Sequence, residues 1–351
     1  MKPLIDWVEA GVVPDAAVRF GIRRLCMGRL RRESAGGARA IEARKAALAD
    51  ELASGPIAVN TADANDQHYE VPAAFYQRVL GRYRKYSCGY WPPGVTDFDA
   101  SEEAMLALSA ERAQVADGQR ILDMGCGWGS MSLYLAEKLP NASITGVSNS
   151  ASQREFILGQ ARERGLDNLE IFTCDINKFV PVGHFDRIVS IEMLEHVRNY
   201  RELFERMSGW LTPDGFAFVH IFCHKTVAYP FEVDGDNDWM AKHFFTGGMM
   251  PSVDFFDRFN DHLEVAERWL VPGVHYERTS NAWLEKLDGQ KEELMPVLAE
   301  TYGEHQAELY FQRWRLFFLA CAELFGIRRG SEWMVAHYRL RPKAGSASAA
   351  A

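Results

Sequence analysis

At 351 residues the chain is long enough for roughly two compact units of about 150 residues and can bury most of its apolar surface. Its 47% apolar, 25% charged and 12% aromatic composition excludes a disordered chain, and a net charge of -9, from 48 acidic against 39 basic residues, argues against nucleic acid as a partner. The six cysteines are scattered without a C-x-x-C pair, and no run of about 18 apolar residues occurs, so a cytoplasmic protein without a metal centre is expected.

From Arg19 to Lys45 nine basic residues and two acidic ones alternate with Ile22, Leu25, Met27 and Leu30 at helical spacing. This basic amphipathic helix reads either as the solvated face of a packed helix or as a site of peripheral membrane contact with anionic lipid. The helical extension runs over residues 1–60, and Gly55-Pro56 and Thr61-Ala-Asp-Ala-Asn65 close it. A helical cap over 61–115 follows, with helix-like sequence from Phe75 to Leu80 and from Glu102 to Val115. Between them lies the aromatic loop Tyr86-Ser-Cys-Gly-Tyr-Trp-Pro-Pro-Gly94. Residues 116–342 then alternate strands and helices: strands from Arg120, Ser143, Leu169, Phe185 and Gly215, with helices from Ser130, Ser152 and Tyr200. Repeated strand-helix units predict a parallel sheet covered on both faces. Lid insertions are expected near 226–260 and 280–328, a strand at Leu263–Val271, a last strand from Trp333, and a mobile Ala/Gly/Ser tail over 343–351.

The segment Asp123-Met-Gly125-Cys-Gly127-Trp-Gly129 lies between a buried strand and a helix, where absent side chains let backbone approach a ligand and the helix N-terminus favours an anionic group. It lacks the G-x-x-x-x-G-K-[ST] phosphate loop. Nor does an acid end the next strand, as a dinucleotide site requires; Ser148-Asn149-Ser150 stands there, with Gln153 one turn on. The whole string Ile121-Leu-Asp-Met-Gly-Cys-Gly-Trp-Gly-Ser130 resembles the S-adenosylmethionine site of class I methyltransferases. That resemblance implies a Rossmann-like α/β fold, a mixed seven-stranded sheet with a helical N-terminal extension and helical lid insertions. It implies cofactor contacts at Gly125, Gly127, Asn149, Gln153, Asp175 and Ile176, the last two beside adenine. A simple strand-end cap is the other reading of Asp175.

Beyond the cofactor site the chain is similar over nearly its whole length to two related groups, the cyclopropane fatty acid synthases and the coclaurine N-methyltransferases. Tyr86-Ser-Cys-Gly-Tyr-Trp91, Phe185-Asp-Arg-Ile-Val-Ser190 and Glu195-His196 are shared by both, and Tyr86 and Ser87 join the implied cofactor contacts. In the synthases a glycine stands at the position of Glu192, and a bicarbonate base is held by Cys, Glu, His, an Ile carbonyl and Tyr. Here Cys88, Glu195 and His220 match, but Phe222 replaces the Ile and alignment puts Leu284 at the Tyr, so an incomplete cage is expected. Ser190-Ile-Glu-Met-Leu-Glu-His196, Phe244-Phe-Thr-Gly-Gly248, Trp314-Arg-Leu-Phe-Phe318 and His68-Tyr-Glu-Val-Pro72 resemble the N-methyltransferases instead. The resemblance implies a substrate site including Tyr69, Glu70, His220, Phe245, Trp314 and Phe317.

Methyl transfer to nitrogen needs a free lone pair, so a basic amine must lose its proton to a carboxylate or imidazole. Glu192, Glu195 and His196 cluster at the carboxyl end of the fourth strand, where open α/β sheets place ligands. Glu195 and His196 are assigned to amine binding and proton removal, and Glu192 to attracting the substrate cation; which of them is the base stays open. The expected activity is N-methylation of a small amine, with or without an aromatic ring, and the sequence leaves open whether the enzyme is a monomer or a homodimer. Its rivals are methylation or cyclopropanation of unsaturated phospholipid chains and cofactor binding without turnover.

Overall fold

The computed structural model describes residues 4–58, 71–231, 239–244 and 247–343. The connector at 61–65, the tail beyond residue 343, Tyr69, Glu70 and Phe245 lie outside them, as does part of the expected lid.

Four of the five residues of β1 (Arg120–Met124) are buried, the mark of a strand covered on both faces, and it lies inside a seven-stranded sheet. β2 (Ser143–Ser148) and β3 (Leu169–Thr173) extend the sheet on one side; β4 (Phe185–Ile191) and β5 (Leu211–His224) extend it on the other, all parallel. After the short pair β6 (Tyr229–Pro230) and β7 (Met249–Met250), the sheet is completed by β8 (Leu263–Val271) and β9 (Trp333–Pro342). β9 runs antiparallel to both β5 and β8, giving the order β3-β2-β1-β4-β5-β9-β8. The register places His220 directly opposite His337.

The helices are α1 (Leu4–Glu9), α2 (Asp15–Glu33), α3 (Gly37–Leu52), α4 (Ala73–Val79), α5 (Phe98–Arg112), α6 (Ser130–Lys138), α7 (Ala151–Arg164), α8 (Tyr200–Trp210), α9 (Trp239–His243), α10 (Val274–Gly289), α11 (Lys291–Tyr302) and α12 (Ala307–Gly326). Helix α5 starts four residues before the apolar periodicity suggests, because the Asp97 side chain accepts the Ala100 N–H at 2.9 Å and caps it. β5 likewise begins at Leu211, directly after α8.

The basic segment is two helices rather than one. The first ends at Glu33 with Ser34 as its C-cap, and Gly36, at φ 81°, caps the second. Its charges are largely engaged within the molecule: Arg19 and Arg23 both pair with Glu323 of α12, which is 5% exposed, and Lys45 reaches Asp254 at 2.6 Å. The apolar side of α2 packs against α12, so this helix is tied to the body of the protein by a two-arginine clasp.

Replacing Glu323 by Ala removes the shared acceptor of that clasp. It should cost about 1–3 kcal/mol, since hydrogen bonds to charged groups fall in that range. Thermal melting together with trypsin cleavage at the α2 arginines checks this, the expected outcome being a lower midpoint and faster cutting at α2.

Candidate active site

The turn from β1 into α6 uses three glycines with positive φ, and each has its own reason. A Cβ on Gly125 would stand 2.5 Å from Met193 Cγ and one on Gly129 2.6 Å from Ile157 Cγ1, whereas one on Gly127 would meet no protein atom within 4 Å. Gly127 faces a cavity of about 960 Å³, at the upper end of small-molecule sites and large enough for a cofactor and an acceptor together. Tyr86, Ser87, Gly125, Gly127 and Gln153 line it, and so do Trp128 and Ser130. The buried Gln153 Nε2, Ser130 Oγ and Trp128 Nε1 have no hydrogen-bond partner among the described residues. Unsatisfied polar atoms beside a glycine cradle and the start of α6 fit a ligand with an anionic group and several hydrogen-bonding functions. Asp123 also reaches the wall. Its carboxyl accepts Ser132 Oγ at 2.6 Å, and burial raises its pKa to about 6.

Asn149, Asp175 and Ile176 do not line this cavity. Asp175 Oδ1 accepts both the N–H and the side-chain amide of Asn177 at 2.9 Å, closing its own turn, and Ile176 is buried in the core beside Phe179 and Leu203. Asn149 immediately precedes Ser150, the N-cap of α7.

The acid cluster divides in an unexpected way. Glu192 and His196 line the cavity. Glu195 does not: it is fully buried behind the wall, with Oε1 accepting the Phe222 N–H at 2.9 Å and Oε2 without a hydrogen-bond partner among the described residues. Burial, followed by the neighbouring Glu192, holds its pKa well above the ordinary carboxyl range. Glu192 occupies a left-handed backbone position at φ 47°, rare for a side chain other than glycine or asparagine. Its Oε1 accepts the Cys88 N–H at 3.0 Å and contacts His220 Nε2 at 3.1 Å, while Oε2 accepts the Tyr276 hydroxyl. Burial raises the Glu192 pKa. The nearby Lys85, the Tyr276 hydroxyl, the Cys88 N–H and His196 hold that rise back. His196 is pushed down to about 4 by burial and is neutral at physiological pH.

His220 is therefore a partner of Glu192, not a wall of the cavity. Alignment offered Leu284 where the synthases have Tyr; in the fold the tyrosine comes from Tyr276, two turns earlier on α10, so the expected gap is filled. Trp314 is also displaced from its expected place. It is 1% exposed and packs between Phe75, Tyr76 and Phe244, one layer behind Phe317, which does line the cavity. Phe317 is itself stacked on Phe244 at 4.3 Å. Apolar residues of α1 and α2, among them Ile5, Val8, Val18 and Ile22, roof the cavity opposite Phe222 and Phe325. Lys85 and Tyr276 are two polar wall residues that sequence reasoning missed. Lys85 directly precedes the Tyr86 motif, but nothing near Tyr276 marks it.

The mycolic acid cyclopropane synthetase family model matches residues 58–333. The chain belongs to that family. It is 37% identical over 344 residues to an (S)-coclaurine N-methyltransferase of Thalictrum flavum subsp. glaucum, covering 97% of this chain and 95% of that protein. A cyclopropane-fatty-acyl-phospholipid synthase of Escherichia coli is 32% identical over 276 residues, covering 78% of this chain and 67% of that one. Among solved structures, a coclaurine N-methyltransferase bound to N-methylheliamine and SAH superposes with a TM-score of 0.93 at 36% identity, covering 96% of this chain and 98% of that one. A cyclopropane synthase of Mycobacterium tuberculosis reaches 0.68 at 22% identity over 82% of this chain and 99% of that one, a likeness of fold. This family member is an S-adenosylmethionine-dependent methyltransferase, and identity and length match place it with the N-methyltransferases rather than the synthases.

Gly127 meets only cavity but holds φ 52°, so Gly127→Val should cost about 1–2 kcal/mol of stability through its backbone and lower cofactor affinity at least about tenfold, a loss of about 1.4 kcal/mol. Calorimetric titration with S-adenosylhomocysteine, alongside a melting curve, measures both.

Proposed function

We propose that this methyltransferase acts on the nitrogen of a small amine with an apolar or aromatic body, and that Glu192 is the group that receives the amine's proton. The observation that carries this reading is the Glu192 carboxylate. It stands in the wall of the cavity that holds the glycine turn, held by three hydrogen-bonding partners and faced by an apolar roof.

When bound, S-adenosylmethionine supplies an electrophilic methyl and leaves as a neutral thioether. The glycine turn and Gln153 hold and orient that donor. Glu192 attracts the ammonium form of the acceptor and takes one proton from it, freeing the nitrogen lone pair for in-line attack. The proton goes to Oε2, which accepts only the Tyr276 hydroxyl among the described residues, whereas Oε1 already has two partners. The raised pKa of Glu192 brings its basicity closer to that of the amine, and neutral His196 offers a second polar contact beside it. Phe222, Phe317 and Phe325 keep the reacting region apolar and give the acceptor ring its surface.

A lipid acceptor is a second reading, favoured by one observation: Leu4, Trp7, Val12, Phe20 and Leu25 of the α1–α2 region are exposed while Arg24, Arg29 and Arg32 line the cavity beneath them. Incubation with labelled donor, an amine panel and unsaturated phospholipid vesicles separates the two. Label in amines alone is expected, and label in lipid alone overturns the amine assignment.

Glu192→Gln keeps the size of the side chain and removes its basicity. Turnover should fall at least about 10²-fold with cofactor affinity within twofold of wild type. Because Glu192 already takes the contacts from Cys88, His220 and Tyr276, added bicarbonate should leave the wild-type rate unchanged, and stimulation would speak for a carbonate-dependent site.

A further inference from the structure

Behind Glu192 a line of buried polar side chains runs across the sheet. His220 Nε2 stands 3.1 Å from Glu192 Oε1, His220 Nδ1 stands 2.9 Å from His337 Nε2, and His337 Nδ1 stands 2.8 Å from Arg112 Nη1. Both imidazoles are fully buried. Arg112 ends α5 and rests over the Trp269 ring at 5.1 Å, half-buried at the far end of the line.

The direction of every hydrogen bond in the line follows from its last member. A guanidinium only donates, so His337 Nδ1 must be a bare acceptor. The proton of neutral His337 then sits on Nε2 and is donated to His220 Nδ1, which leaves the His220 proton on Nε2, aimed at Glu192. A second proton on either ring would set two donors against each other, so both rings stay neutral, as their burial also requires. We propose that Arg112 and His337 are positioning residues for Glu192, acting through His220 to fix which imidazole nitrogen carries the proton that the carboxylate accepts. The relay keeps Glu192 ionised and its Oε1 occupied, so that Oε2 is the oxygen left for the substrate proton.

Glu192 is also faced by Lys85 and Cys88 of the aromatic loop, Glu195 and His196 of its own turn, Tyr276 of α10 and Cys321 of α12. None of these sets the His220 tautomer. Without the Arg112 donor, His220 is free to carry its proton on Nδ1 and turn a lone pair toward Glu192, an arrangement satisfied only by a protonated carboxyl.

The relay matters to turnover only if Glu192 meets the amine as proposed above, so the test has one arm that needs no substrate. In protein labelled with ¹⁵N-histidine, long-range ¹H–¹⁵N spectra should show His220 and His337 as neutral Nε2–H tautomers, assigned by single His→Gln variants. Arg112→Met should abolish that pattern. On an accepted amine, Arg112→Met should lower kcat about tenfold and move the acid limb of the kcat profile up by about one pH unit, because the hydrogen bond favouring the charged carboxylate is gone. KM and cofactor affinity should stay within twofold, and Arg112→Lys, which keeps a donor-only cation, should restore most of the rate. Nδ1–H or doubly protonated rings in the wild type overturn the relay, as does an Arg112→Met variant that melts lower with its acid limb unmoved. If no amine is accepted, the spectra alone decide the relay and the failure belongs to the acceptor reading.

Discussion

One carboxylate at an unfavourable backbone position organises this active site. Glu192 sits in the left-handed region at the end of β4, a conformation that costs of order 1 kcal/mol or more for a residue with a Cβ. The surrounding structure over-determines it. Its own N–H donates to the His220 carbonyl at 2.8 Å, and its carboxyl is bonded from the aromatic loop, from β5 and from α10. Three segments far apart in sequence thus converge on a single side chain. The turn also carries Glu195 into the protein interior and leaves His196 at the cavity, so one backbone irregularity sends one of two neighbouring acids into the core and keeps the other in the cavity wall.

The placement follows from the sheet. Parallel strands β1 and β4 are neighbours in the order, so the turn after each opens on the same carboxyl edge, and the glycine turn and Glu192 face one cavity. Met193 makes the junction tight, since its side chain fills the space that a Cβ on Gly125 would need. Cofactor cradle and acid turn are thereby packed against each other. The helical layer completes the enclosure: α12 supplies Phe317 and Phe325, and the clasp of Arg19 and Arg23 on Glu323 holds the roof helix over them.

What could be read in advance was whatever is local in the chain. The strand, three glycines and helix from Arg120 to Lys138 are contiguous, so periodicity and turn chemistry reveal them together; the same holds for Glu192, Glu195 and His196, which fall within one turn. What each side chain faces was not readable, because it depends on how the chain leaves β4, and nothing in Ser190-Ile-Glu-Met-Leu-Glu-His196 announces a positive φ. Tyr276 reaches Glu192 across 84 residues of sequence and His337 reaches His220 across 117. Such pairs exist only once α10 has docked and β9 has entered the sheet in its particular register. Trp314 illustrates the opposite error: an aromatic residue at the right helical spacing was assigned to the cavity wall, and the fold set it behind Phe317.

The bonds around Glu192 also bear on the contrast with the cyclopropane synthases that the sequence resemblance raised. There a glycine stands at this position, and a glycine at φ 47° is unstrained. A glutamate at the same place costs backbone energy and delivers a carboxylate to the N–H of Cys88, the ring of His220 and the hydroxyl of Tyr276. A diffusible carbonate would have to compete for those same groups with a carboxylate tethered by its own chain, which pays no translational entropy to be there. The anion is thus built in rather than borrowed. A tethered carboxylate has a fixed place, and Glu192 keeps it in the cavity wall. The strain at Glu192 and the carboxylate in the cavity wall are in this sense two consequences of one residue at the end of β4.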